Sequence, residues 1–275
     1  MKVSDILKSI SEAKLEFIPT GFSKLDKELD GGLLRRELVV IGGSSGVGKS
    51  FLASQLVLNV AEKGFKCLYL SLEISNQTII SRMLGSLSAL KPARIVGGLL
   101  TKEEYQRKLD AEAELLSREG FIDIYDDIYE LDKIIEIIRK TKAELVIIDF
   151  IQNVISAGQR EYERMSKIAL ELQRLAKSTN SCILVLSQLS NRVVREGEEG
   201  PALEYKGAGT IAQVADLGFW LWRERIESYS QAIENSPQLR DGEGLRLVLR
   251  KNRRGFSGRS FYFSMSLPGG EINEK

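Results

Sequence analysis
The stretch LVVIGGSSGVGKSFLASQL, residues 38–56, constrains the fold of this chain more than any other. Four apolar residues run into glycines and a helix-forming run follows. A buried strand must therefore turn sharply into a helix through Gly43, Ser44, Ser45, Gly46, Val47 and Gly48. Gly43, Gly48, Lys49 and Ser50 fit the spacing G-x-x-x-x-G-K-[ST]. Glycines let backbone N–H groups turn inward around phosphate oxygens, and the helix N-terminus adds partial positive charge. Lys49 supplies a point charge to the β- and γ-phosphates, and the Ser50 hydroxyl can ligate magnesium. With Phe51, these residues are expected to line a nucleotide.

The flanking sequence fits an open α/β sheet. The runs ELVVIG (37–42), KCLYLSLE (66–73), FIDIYDD (121–127), AELVIIDF (143–150), SCILVLSQ (181–188) and DLGFWLWR (216–223) read as strands. Several are almost continuously apolar, as expected when helices cover both faces of a parallel sheet. Helical patterns lie between them, such as Ile79, Ile80, Met83, Leu84 and Leu87, or Met165, Ile168, Ala169, Leu172, Leu175 and Ala176. At the end, LRLVLRK and RSFYFSM alternate with period two around Gly255 and Gly258 and predict an antiparallel hairpin closing the sheet edge. Val3, Ile6, Leu7 and Ile10 make one apolar face of a short helix over residues 3–15. Two polar stretches, 191–209 and 224–244, are long for loops within a compact domain.

Composition narrows the chemistry. The chain has no histidine, which removes His-dependent triads and every His metal site. Cys67 and Cys182 sit in apolar strands and offer neither a zinc spacing nor a disulfide framework. A net charge of +1 means that any nucleic-acid contact comes from a local stripe. No apolar run suggests a signal peptide or a membrane span, and a cytoplasmic protein without membrane partners is expected.

A phosphate loop needs a magnesium carboxylate at a neighbouring strand tip, and LVIIDF offers Asp149. The position after it is Phe150, so the water-activating base must come from elsewhere. Glu73, ending YLSLE, is the best candidate, although EISNQ could instead use it as a helix cap. Gln188 is a third polar tip. Lys49, Glu73, Asp149 and Gln188 thereby fall on the sheet edge where such folds bind ligands. In LVLRKNRRGFSG, Arg250, Lys251, Arg253 and Arg254 form a cationic cluster open to three readings: nucleic acid, nucleotide phosphate or a solvated turn.

TGFSKLD, GGSSGVGKS, SLEIS, VIIDFIQ, LSQLSNR, GAGTIAQVAD and RKNRRG occur in this order over residues 18–265. In that arrangement the chain resembles the RecA-like ATPase domain of DnaB-type replicative helicases, more than RecA, RadA or KaiC. The resemblance implies a RecA-like P-loop NTPase fold, mostly parallel, with ATP and Mg2+ as cofactors. It implies Glu73 as the catalytic glutamate, Arg82 as a nucleotide contact and Gln188 as a γ-phosphate sensor. Lys251 and Arg253 match the family's Lys-x-Arg pair, which reaches into the next subunit's site. Alternation places both on one strand face, and Arg250 and Arg254 on the other, solvated or near DNA.

A homo-oligomeric ring, expected to be a hexamer, would translocate on single-stranded DNA and meet replication proteins. Lys206, Gly207 and Gly209 would follow the DNA backbone. The family usually carries Arg-Glu-Ser-Gly where this chain has Lys206-Gly207-Ala208-Gly209, so that loop is altered. Residues 1–18 are expected to form a linker-type helix docking on a neighbouring subunit, and 19–275 the ATPase domain. The alternative is a RecA/RadA/KaiC-like regulatory or recombination ATPase acting through protein partners without unwinding.

Overall fold
The computed structural model describes Val3 and residues 15–157, 160–189, 209–224 and 242–275. Almost all of the predicted 3–15 helix, Lys206 and Gly207 lie outside the described residues, as do 191–208 and 225–241 of the two polar stretches.

In chain order, β1 (Phe17–Ile18), α1 (Ser23–Glu28) and β2 (Leu33–Leu34) come first. β3 (Leu38–Gly43), α2 (Lys49–Glu62), β4 (Cys67–Ser71), α3 (Asn76–Ser88), α4 (Pro92–Val96), α5 (Lys102–Leu116), β5 (Ile122–Tyr125) and α6 (Leu131–Thr141) follow. Next are β6 (Leu145–Asp149), α7 (Glu161–Thr179), β7 (Cys182–Gln188), α8 (Gly209–Val214) and β8 (Leu217–Glu224). The chain closes with β9 (Gly242–Asn252), β10 (Ser260–Ser266) and β11 (Ile272–Glu274).

Among the described residues the main sheet runs β11-β10-β9-β8-β3-β7-β6-β4-β5. The strands from β8 to β5 are parallel, and β9, β10 and β11 are antiparallel. The predicted hairpin is thus the β9–β10 pair, but it does not close the sheet. β11 pairs outside β10 and forms the edge. Phe17 and Ile18 pair with Leu34 and Leu33 in a separate two-stranded sheet, and Ile18 is fully buried in the core.

Strand parity divides the interior. Cys67, Tyr69, Leu145 and Ile147 face a core that includes Leu52, Leu56, Val57 and Val60 of α2. Leu68, Leu70, Val146 and Ile148 face Ile134 and Ile138 of α6 and Met165, Ile168 and Leu172 of α7. Burial on both faces is why these strands read as unbroken apolar runs. No helix among the described residues is long and apolar enough to cross a membrane.

Candidate active site
The strand-to-helix turn forms as its glycines require. Gly48 caps α2 at φ +110°, and Gly46 stands at φ +73°, conformations in which a Cβ is strained. A Cβ on Gly43 would come within 2.7 Å of the Val47 side chain and 3.0 Å of the Leu221 carbonyl, so the strand tip admits only glycine. No side chain caps the start of α2, which leaves its first N–H groups for a ligand.

Lys49 is buried, and its Nζ donates to the carbonyls of Gly43 (3.0 Å) and Ser44 (2.9 Å). Burial lowers its pKa, and the charges of Asp149 and Glu73 oppose that shift. Among the described residues no carboxylate lies within ion-pair distance. A buried cation so placed is stabilised by an anion entering the cleft.

The cleft has a volume of about 250 Å³ and is lined by the loop residues Ser45, Gly46, Gly48, Lys49, Ser50 and Phe51, with Glu73, Ile74, Arg82, Phe150, Gln188 and Arg223. A larger groove of about 510 Å³ lies between α3, α5 and β5, but it is mostly apolar and no residue of the phosphate loop lines it. The smaller cleft is therefore the candidate site.

Glu73 is exposed, two residues past the end of β4. The cap of α3 is Ser75, whose side chain accepts from the Thr78 N–H, so the capping alternative for Glu73 does not hold. Asp149 ends β6 and is 1% exposed. Gln188 ends β7 level with Gly43. The Arg82 guanidinium lies 4.7 Å from the Phe51 ring centroid, at one wall of the cleft.

Backbone and amide bonds lock the tips together. The Leu72 N–H donates to the Asp149 carbonyl (2.6 Å), and the Asn153 side chain donates to the Leu72 carbonyl (2.7 Å). The Gln152 amide donates to the Ser187 hydroxyl (2.8 Å). The IQN segment after Asp149 thus ties three strand tips, a role its sequence does not announce.

The residues present suit magnesium and a nucleotide. Among the described residues no cluster of three or more Cys, Asp or Glu could cage a metal. A cation here would take oxygens from Ser50 and Asp149 and fill its shell with phosphate and water, the habit of Mg2+.

Within the cationic cluster Lys251 and Arg253 lie together, and Arg254 departs from expectation. Lys251 donates to the carbonyls of Ala212 (2.7 Å) and Gln213 (2.8 Å) at the end of α8. Arg253 donates to the Gln213 carbonyl (2.6 Å) and to Asp216 Oδ1 (2.9 Å), while the Leu38 N–H donates to Asp216 Oδ2 (3.0 Å). Asn252 pairs with Leu217, which is level with Val39, four residues before Gly43. Lys251 and Arg253 therefore stand at the opposite sheet edge from their own phosphate loop, about 13 Å away along the strand.

Arg254 is neither solvated nor placed for DNA. It donates to the Leu29 carbonyl (3.0 Å) and the Gly32 carbonyl (3.3 Å), and its Nε lies 3.2 Å from Glu37. Its side chain is 17% exposed. Arg250 stacks over Trp220 at 4.3 Å. The fold, through α1 and the β2 turn, provides acceptors that spacing in sequence does not show. Gly209 opens α8.

Two residues of the site carried no sequence signal. Arg223 enters the cleft from β8, a strand whose place beside β3 only the topology gives. Tyr69 is fully buried in β4, and its hydroxyl donates to Asp149 Oδ2 at 2.7 Å.

The DnaB-like helicase C terminal domain family model matches residues 17–265 of the chain. Replicative DNA helicase DnaB of Geobacillus stearothermophilus is 28% identical over 253 residues, covering 89% of this chain and 54% of that protein. Replicative DNA helicase DnaB of Buchnera aphidicola is 30% identical over 250 residues, covering 86% and 52%. The chain spans about half the length of the curated relatives it matches. Among solved structures, one ATPase domain superposes with a TM-score of 0.82 at 21% identity, covering 98% of this chain and 96% of that one. A DnaB-like replicative helicase, described with its interactions with primase, superposes at 0.81 and 21% identity, covering 98% and 65%.

Proposed function
Since the chain belongs to the DnaB-like helicase C-terminal domain family, we propose that it is an ATP-hydrolysing motor that moves along single-stranded DNA as a ring of like subunits. The observation that supports this most is the separation of its polar and charged groups. Lys49, Glu73, Asp149 and Gln188 gather at one sheet edge, and Lys251 and Arg253 stand at the other. Neither half is complete alone for phosphoryl transfer, and a head-to-tail ring brings the two together at every interface.

In this reading the loop from Gly43 to Ser50 cradles the phosphates of ATP, and Lys49 neutralises charge on the β- and γ-phosphates. Mg2+, held by Ser50 and Asp149, would withdraw charge from the phosphate oxygens. Glu73 accepts the proton of the attacking water, and Gln188 senses whether the γ-phosphate is present. Arg82 and Phe51 border the nucleotide. Arg253 of one subunit, with Lys251 beside it, reaches the nucleotide of the next, where such a guanidinium is worth about 10³–10⁵ in rate. Lys206, Gly207 and Gly209 follow the DNA backbone, so binding is electrostatic and independent of sequence. We place the ring, a hexamer, in the cytoplasm, with the 3–15 helix joining neighbours. A replication protein such as a primase is the partner we propose.

The test is ATP-dependent strand displacement on a forked DNA. The wild type should displace the strand, whereas Lys49→Ala should neither bind nucleotide well nor unwind. Glu73→Gln should hold nucleotide with wild-type affinity and lose both hydrolysis and displacement. ATP hydrolysis without displacement, at any fork polarity, would favour a regulatory ATPase acting through protein partners.

A further inference from the structure
We propose that Tyr69 is a positioning residue for Asp149: its buried hydroxyl fixes one carboxylate oxygen and leaves the other to a divalent cation. This rests on the nucleotide-site reading above. β4 and β6 are parallel neighbours with Tyr69 level with Ile147 and Ser71 level with Asp149. Tyr69 and Asp149 therefore share the face covered by α2, two residues apart along the strands, a separation that a tyrosine side chain can span. The hydroxyl donates to Oδ2 at 2.7 Å. Among the described residues no other side chain donates to this carboxylate.

The local chemistry points to a specific use for that hydroxyl. Tyr69 is 0% exposed in an otherwise apolar layer of Cys67, Ile147 and Leu184. A phenylalanine would fill that space without a polar atom to satisfy. Burying a hydroxyl is unfavourable unless it is hydrogen-bonded, and here the acceptor is a carboxylate that is itself 1% exposed.

Ser54 of the phosphate-loop helix is buried, and its hydroxyl donates to the Ser50 carbonyl at 2.8 Å. Groups behind a metal ligand set its orientation, and their loss typically weakens metal binding by about 10–100-fold.

The experiment titrates Mn2+ into the full chain in the presence of a non-hydrolysable ATP analogue, reading bound Mn2+ by electron paramagnetic resonance. Tyr69→Phe keeps the ring and removes only the donor. It should raise the Mn2+ midpoint by about tenfold. Analogue binding in excess chelator should stay at the wild-type value, and the melting temperature should fall by a few degrees, because the buried carboxylate loses its donor. An unchanged or lower midpoint, with or without a drop in melting temperature, would make the hydroxyl a packing feature and overturn the assignment. If the wild type itself shows no nucleotide-dependent Mn2+ binding, the nucleotide-site reading fails and takes this one with it.

Discussion
Single residues in this chain behave according to what the fold places around them. Glu37 is the sharpest case. It is buried at the head of β3, and burial raises its pKa to about 7 even though the Arg254 charge works in the opposite direction. The folded chain thus holds a proton between the ordinary carboxylate range and about pH 7 that the unfolded chain has already lost. Stability from this group is full below the ordinary range and falls as pH rises through about 7. Glu37→Gln keeps the neutral amide at every pH. Melting temperatures measured from pH 4.5 to 8 should therefore decline less steeply for the variant, and parallel curves would show that Glu37 is ionised throughout. Nothing in RKNRRG or RRELVV suggests this pair; 217 residues of chain separate the partners, and only the packing of the β2 turn against the end of β9 joins them.

At the scale of elements, the sequence spoke most clearly where periodicity was long. The strands β3, β4, β6 and β7 were readable because each is buried on both faces, whereas the outer strand β5 is only half-buried; all six runs read in the parallel body match the observed strands to within two residues at each end. The two-residue strands β1 and β2 and the short edge strand β11 are too brief for a pattern to register. Their existence depends on tertiary partners. α1 shows this physically: its N-cap, Phe22, offers no side-chain acceptor. The acceptor comes from β11, where Glu274 takes hydrogen bonds from the N–H groups of Lys24 (2.7 Å) and Leu25 (3.0 Å) and from the Ser23 hydroxyl (3.1 Å). A carboxylate at a helix N-terminus also suits the helix dipole. Glu274→Ala should lower stability by about 1 kcal/mol, read as a melting temperature lower by about 2–4 °C. No change would mean that water caps α1 equally well. The phosphate loop was legible because its glycines serve backbone geometry directly. The Tyr69–Asp149 bond, Arg223 and the clamp on Arg253 were not, since each depends on which strands become neighbours.

For the molecule as a whole, the decisive feature is polarity across the sheet. The parallel body delivers Lys49, Glu73, Asp149 and Gln188 to one edge. The antiparallel β8–β9 pair returns Lys251 and Arg253 to the other, held by α8 and Asp216. Asp216 also grips the first N–H of β3, so the position of the pair is tied to the strand that ends in the phosphate loop. In the ring we propose, a subunit built this way would complete a neighbour's site and not its own. The direct test mixes two inactive proteins, Arg253→Ala and Lys49→Ala, under conditions in which subunits demonstrably exchange. If sites are shared around a head-to-tail ring, about one quarter of the interfaces in an equimolar mixture join an intact phosphate loop to an intact arginine. ATPase activity should return to roughly that fraction of the wild type, whereas a mixture that stays as inactive as its components would contradict the shared site.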